Sequence, residues 1–264
     1  MVSFEQKAKY DINDLLKIAE LLRGEGGCPW DAVQTHKSMR QNMIEEAYEA
    51  AEAIDMEDDE MMKEEFGDVL LQVVSNCQIA KERQGFEFND IVDGVCKKLI
   101  ERHPHVFGTV VVNSTGEVLD NWEKIKQKSK GQNGYSETLE SVPKTFPALM
   151  RCQKVQKRAA KSGFNYPDAA WALESLESEI KELKEAMANR DEENINEELG
   201  DIIFSAVNVS RILGADSEAV ALRSCDKFIR RFKIMENLAL AKGHNLDELS
   251  IEEMLELWSE AKEK

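Results

Sequence analysis

Residues 45–74 read EEAYEAAEAIDMEDDEMMKEEFGDVLLQVV and hold two pairs of acids with the same spacing. Glu46 and Glu49 are three residues apart, as are Glu65 and Asp68, so on helices both members of each pair project from one face. An acidic break lies midway between the pairs. If the chain reverses there, each pair lies roughly 14 Å from the turn at ~1.5 Å per residue. The stretch therefore predicts an antiparallel helix pair whose four carboxylates meet at one height.

The same spacing returns 133 positions later, at Glu179, Glu182, Glu198 and Asp201. Two further segments recur: 98–102 matches 227–231 at an offset of 129, and 118–126 resembles 254–262 at an offset of 136. These repeats indicate duplication of one helical domain, and hence an all-α chain with two tandem domains. We expect an N-terminal domain over 1–130, a glycine- and proline-containing linker over 131–146 and a C-terminal domain over 147–264.

Four carboxylates at one level repel each other, since two charges about 4 Å apart cost roughly 4 kcal/mol at an effective dielectric near 20. A set with no Cys or His favours a hard cation, Mg²⁺ or Mn²⁺ as its substitute, over zinc. The alternative is that acids three apart simply line solvated helix faces in a chain with 51 acids. The repeated spacing argues against that alternative, and so do the apolar stretches that follow Asp68 and Asp201.

Helical periodicity dominates the rest of the chain. In the first half it predicts helices at 12–23, 36–55, 60–83, 89–102 and 117–128. In the second half it predicts them at 147–161, 169–188, 192–212, 216–241 and 250–262. The β-like stretch 109–112 is short and flanked by turn residues, which is typical of a loop or a lone extended piece.

Composition limits the classes of partner. A net charge of −17 and a pI near 4.8 argue against binding to nucleic acid or to an anionic membrane surface, both of which need basic faces. The five cysteines are scattered and form no CxxC pair, which suits a reducing compartment. No 18-residue apolar run occurs. We therefore expect a soluble cytoplasmic protein.

A basic cluster is unusual in so acidic a chain: Lys227, Arg230, Arg231 and Lys233. Guanidinium groups suit the oxygens of a polyphosphate, although a helix face of snorkelling side chains or a set of exposed ion pairs would explain the cluster equally well. Trp122 and Trp258 each lie near the end of one half of the chain. Either tryptophan could stack on a base or pack in a core. Together with acids that hold a cation, these basic and aromatic side chains predict a binding site for a metal-bound nucleoside polyphosphate.

Several ordered motifs now resemble one family, the two-domain MazG-type nucleoside triphosphate pyrophosphohydrolases. They are Gly27-Cys-Pro-Trp-Asp31, Glu45-Glu-Ala-Tyr-Glu49, Glu64-Glu-Phe-Gly-Asp68, Arg102-His-Pro-His-Val-Phe107, Glu197-Glu-Leu-Gly-Asp201 and Lys227-Phe-Ile-Arg-Arg-Phe232. The resemblance implies an all-α fold and a homodimer whose subunits together complete helical bundles. It also implies Mg²⁺-dependent hydrolysis of nucleoside triphosphates to monophosphate and pyrophosphate, as in clearing unwanted nucleotides from the pool.

Site residues follow from the same resemblance. The C-terminal acids Glu179, Glu182, Glu198 and Asp201 would hold the metal and perform catalysis, and the N-terminal acids Glu46, Glu49, Glu65 and Asp68 match the same metal-binding pattern. The nucleotide would contact Lys126, Lys227, Arg230, Arg231 and Trp258. Two differences between the copies bear on these roles: Ser178 stands where the first copy has Glu45, and Glu101 stands where the second has Arg230.

Two other classes use helical acids. A di-iron carboxylate bundle needs Glu-x-x-His pairs, which these sites lack. A non-catalytic acidic module for metal binding or dimerisation stays open as the alternative.

Overall fold

The computed structural model describes residues 2–129, 131 and 134–263 of the chain. Within these residues the structure has thirteen α-helices, two short 3₁₀ helices and no β-strand. The prediction of an all-α fold is confirmed. The apolar stretch 109–112 lies in the loop before a helix rather than in a strand.

The chain forms two compact units, Met1–Ile125 and Lys126–Lys264. The first unit contains α1 Ile12–Arg23, α2 Pro29–Ala32, α3 Met39–Asp55, α4 Asp59–Glu82, α5 Phe88–Arg102, α6 Pro104–Phe107 and most of α7 Thr115–Ser129. The second unit contains α8 Tyr135–Glu140, α9 Ala148–Ala159, α10 Ala169–Asn189, α11 Glu192–Ile212, α12 Ser217–Ala241 and α13 Ile251–Lys262. No helix in the described part of the chain is long and apolar enough to cross a membrane.

Each unit is built around one antiparallel helix pair, α3 with α4 and α10 with α11. The turns are alike in detail. Glu57 and Arg190, 133 positions apart, both adopt positive φ (54° and 56°). The residues that follow them, Asp58 and Asp191, cap the second helix by accepting hydrogen bonds from backbone N–H groups in its first turn. The duplication therefore extends to the backbone of the reversal.

The cores of the two pairs also correspond. Ala53 and Val74 are fully buried in the first unit, and their counterparts at the 133 offset, Ala186 and Val207, are 1% and 3% exposed. The alanines lie between the acid pairs and the turns, and the valines lie on the far side of the acids from the turns. Close packing at both levels holds the acid pairs in register.

A third helix braces each pair: α1 contacts α4, and α9 contacts α11. In the first unit Arg23 at the end of α1 donates to both carboxylate oxygens of Glu82, at 2.8 and 2.7 Å. In the second unit Gln156 of α9 donates from Nε2 to the Phe204 carbonyl oxygen at 2.7 Å.

Within the range 131–146, which we predicted as a linker, the structure has the short helix α8, and Thr138 and Val142 are buried there. The Arg158 side chain donates to the Thr138 carbonyl and, at 2.7 Å, to the Ser141 hydroxyl. This part of the chain is thus attached to α9. The predicted domain bounds stay a prediction.

Candidate active site

The N-terminal acids converge between α3 and α4. Glu46, Glu49 and Glu65 each offer a carboxylate oxygen, and these oxygens all lie within 4.8 Å of one another. Asp68 lies one turn beyond Glu65, close enough that its negative charge raises the pKa of both Glu46 and Glu65. The structure thus brings together three of the four predicted acids, with the fourth beside them.

The C-terminal acids repeat this arrangement between α10 and α11. Oxygens of Glu179, Glu182 and Glu198 lie within 4.8 Å of one another, and Glu198 is buried at 7% exposure. Asp201 again lies next to the three, because its charge raises the pKa of Glu179 and Glu198. The side chain of Ser178 donates to Glu182 Oε1 at 3.0 Å. The serine therefore orients a cluster carboxylate.

The electrostatics of both clusters are unfavourable without a cation. Burial is the largest cause that raises the pKa values of Glu46, Glu65, Glu179 and Glu198. Every other cause that raises these values is a neighbouring carboxylate. Carboxylates that are partly desolvated and surrounded by like charge need a positive partner to stay ionised together.

The donor set fits a hard divalent cation. Glu65 Oε2 is buried and has no hydrogen-bond partner in the described structure. A buried carboxylate oxygen without a donor is costly unless a cation is bound there. Both clusters offer only carboxylate oxygen, which is the ligand preferred by Mg²⁺ and Mn²⁺.

One supporting position in each unit escaped the sequence analysis. Gln72 is buried and donates from Nε2 to Glu46 Oε1 at 3.3 Å. Its counterpart at the 133 offset, Ser205, hydrogen-bonds Glu179, which partly offsets the rise in the pKa of that carboxyl. The first acid of each set is thus held by a neutral side chain four residues after the last acid. Comparing the two copies position by position would have revealed it.

The predicted phosphate- and base-binding residues lie on other helices. On α12, Lys227 and Arg230 are exposed and Arg231 is half-buried, and none of the three is among the charges that shift the pKa values of Glu179 or Glu198. Half-buried Trp258 on α13 packs against Phe228, with ring centroids 5.1 Å apart. Lys126 is half-buried on α7. These groups thus lie on helices other than α10 and α11, which carry the C-terminal acids.

Comparison with known protein families identifies two segments of the chain, one around each acid cluster. The family model described as the MazG nucleotide pyrophosphohydrolase domain matches residues 34–107 and 170–235, one segment for each acid cluster. A *Thermotoga maritima* protein named nucleoside triphosphate pyrophosphohydrolase/pyrophosphatase MazG is 45% identical over 249 residues, 94% of either chain. The *Escherichia coli* K12 nucleoside triphosphate pyrophosphohydrolase is 38% identical over 254 residues, 95% of this chain and 97% of its own.

A longer relative matches almost the whole of this chain. The *Bacillus subtilis* protein YabN is 44% identical over 261 residues, which cover 98% of this chain but 53% of YabN. The duplicated match and the near full-length identities agree with the paired acid clusters. The chain therefore belongs to the MazG nucleotide pyrophosphohydrolase family.

Proposed function

We propose that this protein hydrolyses nucleoside triphosphates to nucleoside monophosphate and pyrophosphate with Mg²⁺, or Mn²⁺ in its place. The observation that carries the proposal is the convergence of Glu179, Glu182 and Glu198 within 4.8 Å of one another, repeated in the first unit. The names of the *T. maritima* and *E. coli* relatives support this reaction. We extend the proposal to a role in clearing unwanted nucleotides in the cytoplasm.

In this proposal the four C-terminal acids hold the cation. When bound, Mg²⁺ supplies Lewis acidity toward phosphate oxygens and a more acidic water molecule. Ser178 keeps Glu182 turned toward the cluster, and Ser205 does the same for Glu179. The acids would thereby keep a fixed geometry in which one of these carboxylates could accept a proton from the attacking water.

The basic residues of α12 have the complementary task. Lys227 and Arg230 are exposed, so their charged groups are available to the oxygens of a triphosphate. Arg231 adds a planar fork that binds two phosphate oxygens at once. We assign Lys227, Arg230 and Arg231, with Lys126 and Trp258, to binding the nucleotide and stabilising the leaving pyrophosphate.

We also propose that the protein is a homodimer. Leu99 and Ile100 on α5 are 49% and 53% exposed, and their counterparts at the 129 offset on α12, Phe228 and Ile229, are 55% and 64% exposed. Exposed apolar residues at matching positions of the two duplicated units indicate that these surfaces have the same role in both units, rather than being isolated apolar residues on the surface. A second copy of the chain would cover both surfaces through a symmetric interface.

Product analysis tests the reaction. The protein is incubated with each triphosphate and Mg²⁺, beside Glu182→Gln, Asp201→Asn and the control Glu177→Gln, which alters an exposed acid of α10. We expect monophosphate and pyrophosphate from the wild type and the control, and a loss of at least about 100-fold in both cluster variants. Diphosphate and phosphate would redirect the assignment to an ordinary triphosphatase. No product with any triphosphate would favour the non-catalytic metal-binding module.

A further inference from the structure

A cavity of about 360 Å³ in the second unit opens beside the candidate metal site and shares Glu179 with it. Its walls come from the end of α9, the loop 163–166 and the facing surfaces of α10 and α11. The volume lies in the range of small-molecule pockets, about 300–1,000 Å³. A ligand in this cavity would therefore lie next to a cation bound by the acids.

The duplicated fold places a cavity at the same position in the first unit. That cavity is lined by Asn42, Leu71, Gln72 and Ser75, whose counterparts at the 133 offset, Ser175, Phe204, Ser205 and Asn208, line the C-terminal one. Recurrence indicates a property of the fold rather than a packing accident. The N-terminal cavity holds only about 120 Å³, so the C-terminal cavity is the better candidate for a ligand.

Two amides of the C-terminal cavity have a fixed orientation. Arg211 donates to Asn165 Oδ1 at 2.6 Å and to Asn208 Oδ1 at 3.0 and 2.7 Å. Because guanidinium has donors only, the amide oxygens must face the arginine. Both NH₂ groups are then left to donate elsewhere. The cavity therefore contains two amide donors held by one arginine.

A third polar group supplies an acceptor. Gln156 is 6% exposed, and its Nε2 donates to the Phe204 carbonyl oxygen, which can only accept. Its Oε1 is therefore fixed as the remaining acceptor, and it has no hydrogen-bond partner in the described structure. A buried acceptor of this kind costs free energy until an N–H group reaches it.

Building on the function proposed above, we propose that this cavity receives the nucleoside of the substrate and selects bases with an exocyclic amino group beside ring acceptors. Adenine and cytosine have this pattern. The amino group would donate to Gln156 Oε1, and the ring acceptors would take hydrogen bonds from Asn165 and Asn208. The aromatic rings of Phe164, Tyr166 and Phe204 line the same cavity and provide stacking surfaces.

Matched substrates test the selection. ITP has a carbonyl group where ATP has the amino group, and UTP has a carbonyl group where CTP has the amino group. We expect KM values about tenfold lower for ATP than ITP and for CTP than UTP, with similar kcat, because a carbonyl would place an acceptor against Gln156 Oε1. Equal KM values within both pairs, or a preference for the carbonyl bases, would overturn the proposal.

Two variants locate the effect. Gln156→Met keeps the side-chain volume but removes the Oε1 acceptor, together with the Nε2 donor to the Phe204 carbonyl, so the ITP-to-ATP ratio of KM values should fall toward one. Asn208→Asp keeps an oxygen for Arg211 and removes the NH₂ donors, so KM for ATP and CTP should rise about tenfold. Asn237→Asp makes the same chemical change at an exposed position of α12 and serves as the control. An Asn208→Asp variant with unchanged KM would contradict the assignment.

A binding measurement separates this inference from the reaction. Adenosine and inosine carry no phosphate, so their binding in EDTA, followed by chemical-shift titration of ¹⁵N-labelled protein, requires neither metal nor turnover. Tighter binding of adenosine than inosine, with shifts at Asn165 and Asn208, supports the inference even if no triphosphate is hydrolysed. Hydrolysis of all triphosphates without any adenosine preference would refute the inference and leave the proposed reaction intact.

Discussion

The guanidinium carbon of Arg102 lies 5.1 Å from the centroid of the Trp122 ring. Both residues have counterparts in the second unit, Arg231 and Trp258, but there the tryptophan packs against Phe228 instead. A cation held over an aromatic face is less available to a phosphate. The neighbouring position adds a difference of charge, since Glu101 stands where Arg230 stands in the second copy. The two units thus share acid clusters but differ in their basic groups.

This difference predicts unequal turnover. We expect Glu182→Gln to reduce pyrophosphate release by at least about 100-fold and its counterpart Glu49→Gln to reduce it less than about twofold. Both substitutions remove one charge from a cluster of the same geometry, so each serves as the other's control. Steady-state assays with ATP and Mg²⁺ compare them. Equal losses would show that both units contribute to catalysis.

The C-terminal cluster predicts opposite effects of one substitution on stability and on metal binding. Burial and four neighbouring carboxylates raise the pKa of Glu198, so its charged form is disfavoured in the folded protein at neutral pH. Glu198→Gln should therefore raise the melting temperature in EDTA. The same variant should lose stabilisation by Mg²⁺ at this site, where a ligand at 100 times its Kd contributes about 2.7 kcal/mol.

Scanning calorimetry with and without Mg²⁺ measures both effects. Glu177→Gln, an exposed acid of α10, is the matched control and should respond to Mg²⁺ as the wild type does. A Glu198→Gln protein that melts below the wild type in EDTA would argue against mutual repulsion in the cluster. Unchanged Mg²⁺ stabilisation in that variant would argue against a cation at this cluster.

The side chain of Arg23 is 9% exposed, and it holds the first unit together through Glu82 and the backbone carbonyls of Asp31 and Gln34. Arg23→Ala leaves all three acceptors without this donor and should lower the free energy of opening of α1 and α4 by roughly 2–3 kcal/mol. Lys63→Ala removes an exposed ion pair with Glu60 and should cost less than about 0.5 kcal/mol. Native-state hydrogen exchange resolves the two units separately.

The same ion pair predicts a pH dependence. The hydrogen bonds from Arg23 hold the pKa of Glu82 below its ordinary range. A carboxyl with a depressed folded-state pKa stabilises the fold above its unfolded-state pKa, and that contribution is lost as pH falls through the folded-state value. The stability difference between wild type and Glu82→Gln should be present at pH 7 and shrink below about pH 4. A difference that grows on acidification would contradict this assignment.

The acid clusters could be predicted from sequence because their geometry is local. Spacings of three within helices and a central turn fix where Glu46 and Glu65 meet, and the 133-residue repeat supplied a second instance. The cavity beside Glu179 could not be predicted in this way. Its polar residues, such as Gln156 and Asn208, come from different helices and a loop, and only tertiary packing brings them together. The helix α8 was missed because its sequence is polar and flanked by glycine and proline.

The exposed apolar positions on α5 and α12 predict self-association. Wild-type protein at micromolar concentration should sediment as a dimer, because exposed Phe228 and Ile229 would be covered in a symmetric interface. Ile229→Glu places a charge in that interface and should shift the protein toward monomer, since an unpaired buried charge is strongly unfavourable. Leu213→Glu changes an equally exposed apolar residue at the end of α11 and should leave the dimer intact. Analytical ultracentrifugation over a concentration series distinguishes these outcomes, and a wild type that is monomeric throughout the series would remove the basis for a shared interface.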